Sequence, residues 1–327
     1  MQIRDTTPAE NNEMLVALTF DLDPDHFDPS IGDDYGSDTL SWHGVEQAVP
    51  AIAEILSDLQ DNLGTPVRAT WLPRADDQIG TIYGDPGAML DRFDDLLRIL
   101  ESAGHEIAWH PHLHKREDGR WIQEKHPDRL RANLAAAHEA LRRRGWTPRA
   151  TRMGGNYGSV ELMEILEALG IEVDSSAMPG RTRQDDHVSI DWGKTPQTSY
   201  RPALNDYRGP GSPGRSIVEL PLSMAAVKAD YDDRPYPRYV DLSFHAHALQ
   251  PGLETLLDKT DYLVTDTHPS TVVPEIGTQP HGLLSFSLDT FRSNLDAILD
   301  RCAQRNRPVR FVTLSDPRLR PEPSVIE

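Results

Sequence analysis

Apolar runs of strand length alternate along the chain with longer segments of helical periodicity. The spacing of apolar residues predicts strands over residues 14–20, 67–72, 105–109, 149–152, 171–173, 216–220, 239–244 and 309–314. It predicts helices over residues 44–63, 88–103, 127–144, 160–169 and 288–302. Because strands alternate with helices throughout, the pattern indicates an α/β fold built from parallel βα units in one sheet or barrel.

The chain is long enough to bury one large core, and the pattern suggests a simple division. We expect a single domain over residues 14–315, with an N-terminal extension over 1–13 and a C-terminal tail over 316–327. Residues 179–215 are rich in Gly, Pro, Asp and Arg and predict a long insertion loop. A loop of this length in a compact domain is often functional.

Composition narrows the range of partners. The formal net charge is -19, which argues against a nucleic acid partner because a phosphate backbone requires a basic surface. No segment is as long and apolar as a membrane span. Residues 1–13 show no apolar secretory region, and Cys302 is the only cysteine, which excludes an internal disulfide framework. We therefore expect a cytoplasmic protein.

Histidines follow the predicted strand at 105–109 in the sequence His110-Pro111-His112-Leu113-His114. A separation of four residues lets His110 and His114 converge on one ion if the chain forms a helical loop there. An early strand end, at Asp21 and Asp23, offers the carboxylate that would complete a site with three protein ligands and an open position. The alternative is a polar loop that happens to contain three histidines.

Six polar residues, three of them named above, lie at or just beyond the ends of predicted strands. They are Asp21, Asp23, His110, Arg152, Asp174 and His245. In parallel α/β folds the functional residues gather where the strands end, at the carboxyl edge of the sheet. The shared placement predicts that these residues belong to one site.

Five segments occur in the order of one family's motifs: Thr19–Asp23, Gly104–Ile107 with His110 and His114, Arg152–Tyr157, Val173–Gly180 and Leu242–Leu249. With them the chain resembles the polysaccharide deacetylases, the NodB-like family-four carbohydrate esterases. Its nearest likeness is to the WalW-like branch, which is linked to lipopolysaccharide and cell-surface glycan biosynthesis. The resemblance covers residues 15–314 and implies a distorted (β/α) barrel with about seven strands.

The resemblance also implies roles for individual residues. Asp23, His110 and His114 would hold a divalent ion, for which zinc is favoured by ligand type and nickel, cobalt or iron would also fit. Asp21 would be the general base. His245 would be the general acid, since the final strand region, residues 312–316, contains no histidine.

The remaining implied roles support these groups. Arg152 would pair with Asp21, and Asp174 would orient a catalytic group through a hydrogen bond. The substrate-binding residues would be Tyr157, Trp109 and His247, although both aromatic residues also suit a core.

The sequence departs from the family's commonest pattern and leaves alternatives open. Leu22 separates the two aspartates, so the base and ligand roles of Asp21 and Asp23 could be exchanged, and Asp23 or Asp25 could instead cap the following helix or turn. His112 could replace His114 as a ligand, and His247 could replace His245 as the acid. The other histidines outside the motifs are expected at the surface: His26, His43, His126, His138, His187, His268 and His281.

Together these features predict a metal-dependent hydrolase that removes an N-acetyl or other acyl group from an amino sugar or glycan precursor. Its partner would be a small-molecule or glycan substrate. One alternative is a hydrolase of the same fold acting on a non-sugar amide, imide or formamide. The other is a catalytically inactive glycan-binding protein, which would lack a complete ion site.

Overall fold

A computed structural model describes residues 12–25, 40–185, 189–273 and 287–321. The predictions for residues 1–11 and 322–327, and those for His26, His187 and His281, lie outside the described residues.

The described chain alternates strands and helices. The strands are β1 Met14–Leu22, β2 Ala69–Pro73, β3 Glu106–Ile107, β4 His114–Glu117, β5 Arg120–Gln123, β6 Ala150–Thr151, β7 Val173–Asp174, β8 Thr182–Gln184, β9 Ser189–Asp191, β10 Pro202–Ala203, β11 Asp206–Pro210, β12 Val218–Glu219, β13 Met224–Val227, β14 Tyr236–Tyr239, β15 Tyr262–Val264 and β16 Val309–Phe311. The helices are α1 His43–Leu63, α2 Asp77–Tyr83, α3 Ala88–Arg92, α4 Asp94–Ser102, α5 Pro127–Arg143, α6 Val160–Ala168, α7 Ala246–Leu257 and α8 Leu288–Gln304.

A parallel sheet with the order β15-β1-β2-β3 forms the centre of the fold, and β16 pairs with the first residues of β1. Strand β1 is buried along almost its whole length because it carries apolar residues on both faces, as central parallel strands do. The register sets Phe20 opposite Trp71, and their rings stack 4.3 Å apart. This register also places Asp21 beside Leu72, so the polar end of β1 emerges at the carboxyl edge of the sheet.

A second parallel sheet has the order β12-β7-β6. Isolated backbone hydrogen bonds join it to the central sheet: Trp109 N donates to Ala150 O (3.2 Å), Arg152 N donates to Trp109 O (3.0 Å), and Ser223 N donates to Val264 O (3.0 Å). The fold is therefore α/β with a parallel central sheet, as the sequence predicts. The seven parallel strands other than β16 lie in two sheets connected by these isolated bonds.

Helices cover the sheet with the apolar faces that their periodicity predicts. In α1, Val45, Val49 and Ile52 are buried, and the helix ends at Gly64, whose φ of 63° suits the left-handed conformation of a helix end. Helix α5 begins at Pro127, where a missing N–H is harmless. Within the described residues, no helix combines the length and the apolar character that crossing a bilayer demands.

Two predictions about elements need correction, and one strand of the central sheet was not predicted from the sequence. Residues 179–215 are not one irregular loop, because they contain the hairpins β8–β9 and β10–β11. The predicted strand over 239–244 is largely irregular: β14 ends at Tyr239 and pairs antiparallel with β13. The parallel partner of β1 is instead β15, whose three residues are too short a run for a periodic pattern.

Candidate active site

Buried polar side chains collect where the central strands end. Asp21 and Asp23 come from the end of β1, and His110 and His112 follow β3. Arg152 follows β6, and Asp266 and His268 follow β15. The carboxyl ends of these parallel strands face the same edge, so residues far apart in sequence come together.

Asp23, His110 and His112 form a compact triangle of ligand atoms. His112 Nε2 lies 3.1 Å from His110 Nε2, and each of these nitrogens lies 3.3 Å from an oxygen of Asp23. Ligand atoms around a tetrahedral ion with bonds of about 2.0–2.1 Å are separated by roughly 3.3 Å. The triangle therefore has the size and the donor set of a zinc-type site with one open position.

The two histidines of the triangle differ in protonation. His110 Nδ1 donates to Arg152 O (2.8 Å), because a carbonyl can only accept. Burial would lower the pKa of His110, but Asp21 and Asp23 raise it, so a cation would have to displace a proton from Nε2. Burial and the charge of Arg74 lower the pKa of His112 to about 4, so its imidazole is neutral as a ligand must be. Burial would raise the pKa of Asp23, but the two imidazoles hold it well below its ordinary value.

The third donor of the triangle is His112 and not His114. Residues 111–113 form no helix or turn between the bridge of His110 with Arg74 and β4, which begins at His114. An extended chain advances roughly 3.3 Å per residue, so a spacing of two brings imidazoles together while a spacing of four carries them about 13 Å apart. Pro111 is the sequence signal for this path, because a residue before proline avoids helical geometry. The His114 ring lies 5.3 Å from that of His112 and outside the triangle.

Gly154 allows the His112 ring to occupy its place. A Cβ added at Gly154 would lie 2.0 Å from Cδ2 of His112, and Gly154 N donates to Pro111 O (2.9 Å). The turn after Arg152 therefore packs directly on a ligand, and only a glycine leaves room for the ring.

Asp21, Asp266 and His268 form a second group beside the triangle. Arg152 Nη1 lies 2.9 Å from Asp21 Oδ1 and 3.2 Å from Asp266 Oδ1. Arg152 is itself buried and donates from Nε to Ser175 O (2.9 Å). The guanidinium thus supplies the positive charge that these two carboxylates require.

His268 joins the two groups, since its Nε2 lies 3.4 Å from Asp23 Oδ2. Burial would lower the pKa of His268, but Asp266 and Asp23 outweigh it and raise this pKa to about 10. Burial and the neighbouring Asp21 raise the pKa of Asp266 to about 6. The second group therefore places a protonated imidazole next to the triangle at neutral pH.

The expectation that His268 lies at the surface is wrong, because its side chain is only 16% exposed. Sequence reasoning also missed Asp266. The signal was present: Thr265-Asp266-Thr267-His268 follows the apolar run Tyr262–Val264, and the strand-end rule applied to Asp21 and His110 applies there as well.

The structure places His245 and His247 elsewhere. His245 precedes α7 and is half-buried, with its ring 6.0 Å from that of Phe244 and 5.5 Å from that of His247. His247 is 60% exposed, and its Nε2 lies 3.2 Å from Asp230 Oδ1. Among the described residues, neither histidine belongs to the two carboxylate–histidine groups.

Asp174 is linked through Ser176 to the backbone next to Arg152. Ser176 Oγ donates to Asp174 Oδ1 (2.7 Å) and accepts from Met153 N (2.8 Å), the residue after Arg152. Asp174 also faces Glu219 on the neighbouring strand, and both carboxyl groups are fully buried. Burial raises the pKa of both groups, and their proximity adds to the effect in Glu219.

The remaining predicted residues are buried. Trp109 is fully buried and donates from Nε1 to Ala75 O (2.8 Å), so it packs in the core and is not accessible to a sugar. Tyr157 is buried after the Gly154 turn. Asp25 accepts from His43 N (3.1 Å) and Gly44 N (2.8 Å) at the start of α1, so the helix-capping alternative holds for Asp25.

Comparison with family models and with curated proteins gives no match. Among solved structures, a candidate polysaccharide deacetylase from Mycobacterium smegmatis aligns with a TM-score of 0.52 and 19% identity, over 94% of this chain and 90% of that chain. A family 4 carbohydrate esterase from Streptomyces lividans in complex with acetate aligns over 93% and 95% of the two chains, at 12% identity and a TM-score of 0.41. A family 4 pseudoenzyme from Bacillus anthracis aligns over 92% and 64%, at 11% identity and a TM-score of 0.41.

The likeness to the Mycobacterium structure shows a shared fold, as the resemblance to the polysaccharide deacetylases implied. The nearer likeness to the WalW-like branch stays a prediction.

Gly154→Ala is expected to weaken binding of a divalent ion by about tenfold or more, because the added Cβ forces the His112 ring out of the triangle. Competition with a chromophoric chelator measures the affinity. Gly209→Ala is the matched control, since a Cβ there meets nothing within 4 Å. Equal affinity in the two variants would contradict the packing of the turn on His112.

Glu219→Gln is expected to make the stability of the folded chain fall less steeply as the pH rises. The raised pKa of Glu219 means that the folded chain keeps a proton that the unfolded chain loses above about pH 4.3, so this contribution is full at low pH and is lost as the pH rises through the folded pKa. Glutamine keeps the acceptor for Ala177 N and cannot ionise. Melting temperatures from about pH 5 to 9 measure the effect, with the exposed Glu139→Gln as control. Parallel pH profiles for both variants would refute it.

Proposed function

We propose that the chain is a metal-dependent hydrolase that removes an N-acyl group, acetyl in the simplest case, from an amino sugar or glycan precursor. One observation carries the proposal: the triangle of Asp23, His110 and His112 lies against the His268 imidazole and against a carboxylate, Asp21, that is held by Arg152. The order of motifs in the sequence and the name of the Mycobacterium protein support the substrate class.

A divalent ion bound in the triangle would polarise the acyl carbonyl and lower the pKa of a water molecule beside it. The donor set of two imidazoles and a carboxylate favours zinc and also accepts nickel, cobalt or iron. Three protein ligands leave a position open for the substrate.

Asp21 is the general base in this proposal. Its Oδ1 accepts from Arg152 Nη1 (2.9 Å), which fixes the orientation of the carboxylate, and its Oδ2 lies 3.5 Å from Nδ1 of His110, a residue of the triangle. A carboxylate held next to the metal-binding residues would take the proton of the attacking water. Arg152 thus acts as a positioning residue for Asp21.

His268 is the general acid in place of His245 or His247. Its imidazole lies beside Asp23, and Asp266 and Asp23 stabilise its protonated form. When the acyl C–N bond breaks, the leaving nitrogen needs a proton, and a protonated His268 next to the triangle would donate it. The base then comes from β1 and the acid from the segment after β15.

Metal content separates this proposal from an inactive glycan-binding protein. We expect the native chain to contain close to one equivalent of a divalent ion by plasma mass spectrometry. The variant His112→Ala should bind the ion roughly 100-fold more weakly. His114→Ala is the matched control, because its ring lies 5.3 Å away from His112 and outside the triangle, and it should keep the ion. The proposal fails if the native chain takes up none of zinc, nickel, cobalt or iron. Loss of the ion in His114→Ala alone would restore the ligand set expected from sequence.

Turnover tests the acid and the base. Asp21→Asn and His268→Gln should each reduce acetate release from N-acetylated amino sugars and nucleotide sugars by about 100-fold or more while keeping the ion. His245→Gln is the control and should retain activity. If a metal-loaded chain hydrolyses simple amides or formamides but no N-acetylated sugar, the non-sugar alternative replaces this proposal. Equal losses in His245→Gln and His268→Gln would contradict the assignment of the acid.

A further inference from the structure

The loop between β2 and α2, residues 73–76, contacts every ligand of the triangle. Pro73 O accepts from His110 N (3.0 Å), which fixes the backbone of the first histidine. A core residue holds the loop in turn, because the buried Trp109 donates from Nε1 to Ala75 O (2.8 Å). Its other two residues, Arg74 and Asp76, are buried charges that the mechanism above does not use.

Arg74 reaches the ligand carboxylate. Its Nη1 donates to Asp23 Oδ1 (3.1 Å), the oxygen that also lies 3.3 Å from His112 Nε2. Its Nε donates to Asp76 Oδ2 (2.5 Å) and its Nη2 to Gln78 Oε1 (2.9 Å). The guanidinium is fully buried, so its charge acts on Asp23 with little screening by solvent.

Asp76 extends the same arrangement to the second histidine. Its Oδ2 accepts from His112 N (3.1 Å), and its Oδ1 caps α2 by accepting from Ile79 N (2.9 Å). The pair of Arg74 and Asp76 therefore connects the Asp23 carboxylate to the backbone of His112, and Asp76 also caps the N-terminus of α2.

We propose that Arg74 tunes the ion site: by drawing charge from Asp23, it weakens the hold on the divalent ion and leaves that ion a stronger electrophile. The inference rests on the proposed function, since it needs an ion in the triangle. It assigns a role in the reaction to a residue that touches neither the substrate nor the ion.

The direction of the effect follows from the sign of the charge. Partners that accept a hydrogen bond from a ligand make it a better donor to the metal, and removing them weakens binding. Arg74 is the reverse case, because a cation that donates to a carboxylate competes with the ion for the negative charge of that carboxylate. It also repels a divalent cation across a few ångströms of buried protein, where charge–charge interactions are strong.

Metal affinity of Arg74→Gln and Arg74→Lys tests the inference. We expect Arg74→Gln to bind zinc about tenfold or more tighter than the native chain in chelator competition, and to turn over more slowly. Arg74→Lys restores the positive charge without the fork of the guanidinium, and its affinity should return towards the native value. The absorption spectrum of the cobalt-loaded protein reports whether the ligand set is unchanged.

The zinc affinity of the variants distinguishes a tuning role of Arg74 from a purely structural one. Weaker or equal zinc affinity in Arg74→Gln, with an unchanged cobalt spectrum, overturns the inference and makes Arg74 a purely structural residue. Because Arg74→Gln leaves Asp76 without its cation, the double variant Arg74→Gln/Asp76→Asn repeats the measurement with that buried charge removed, and the tighter binding should persist. If the native chain binds no ion, the proposed function itself fails, which the native affinity reveals before any variant is compared.

Discussion

Two carboxylates buried at the end of β1 impose the constraint from which the site is built. Asp21 and Asp23 are almost inaccessible to solvent, and an unpaired charge at such depth would cost several kcal/mol. Each has its own arginine: Arg152 Nη1 lies 2.9 Å from Asp21, and Arg74 Nη1 lies 3.1 Å from Asp23. The loops after β2 and β6 must therefore approach the end of β1, and this approach brings the histidines with them.

Local patterns in the sequence were sufficient for part of this site. Apolar runs ending in polar residues are visible without a structure, and they identified Asp21, Asp23, His110 and Arg152 as neighbours. Arg74 and His268 were missed although each also follows a strand, because the strand-end rule does not say which polar residues become buried. Their burial depends on partners that are distant in sequence, such as Asp23 for both residues. The segment that carries His268 follows a strand of only three residues, which is too short to show a period.

The choice between His112 and His114 illustrates a second limit. Spacing predicts convergence only for a given backbone path: four residues suit a helical turn, whereas two residues suit an extended chain. Pro111 disfavours a helical conformation at His110, so the sequence contained evidence for the extended path. The room for the ring, however, comes from Gly154, which is more than forty residues away and could not be read from the histidine motif.

The spacing of the two aspartates has a related consequence. Leu22 lies between them in a turn where Asp23 N donates to Asp21 O (2.9 Å), and both side chains reach Nδ1 or Nε2 of His110. Their environments nevertheless differ. Asp23 faces the imidazoles of His110, His112 and His268. It shares a single arginine charge with Asp76, whereas Asp21 shares Arg152 with Asp266. A second ion beside Asp21 and Asp266 would have to displace the guanidinium of Arg152, which is buried and held by Ser175 O. The placement of the arginines therefore favours one ion at Asp23 and leaves Asp21 available to move a proton.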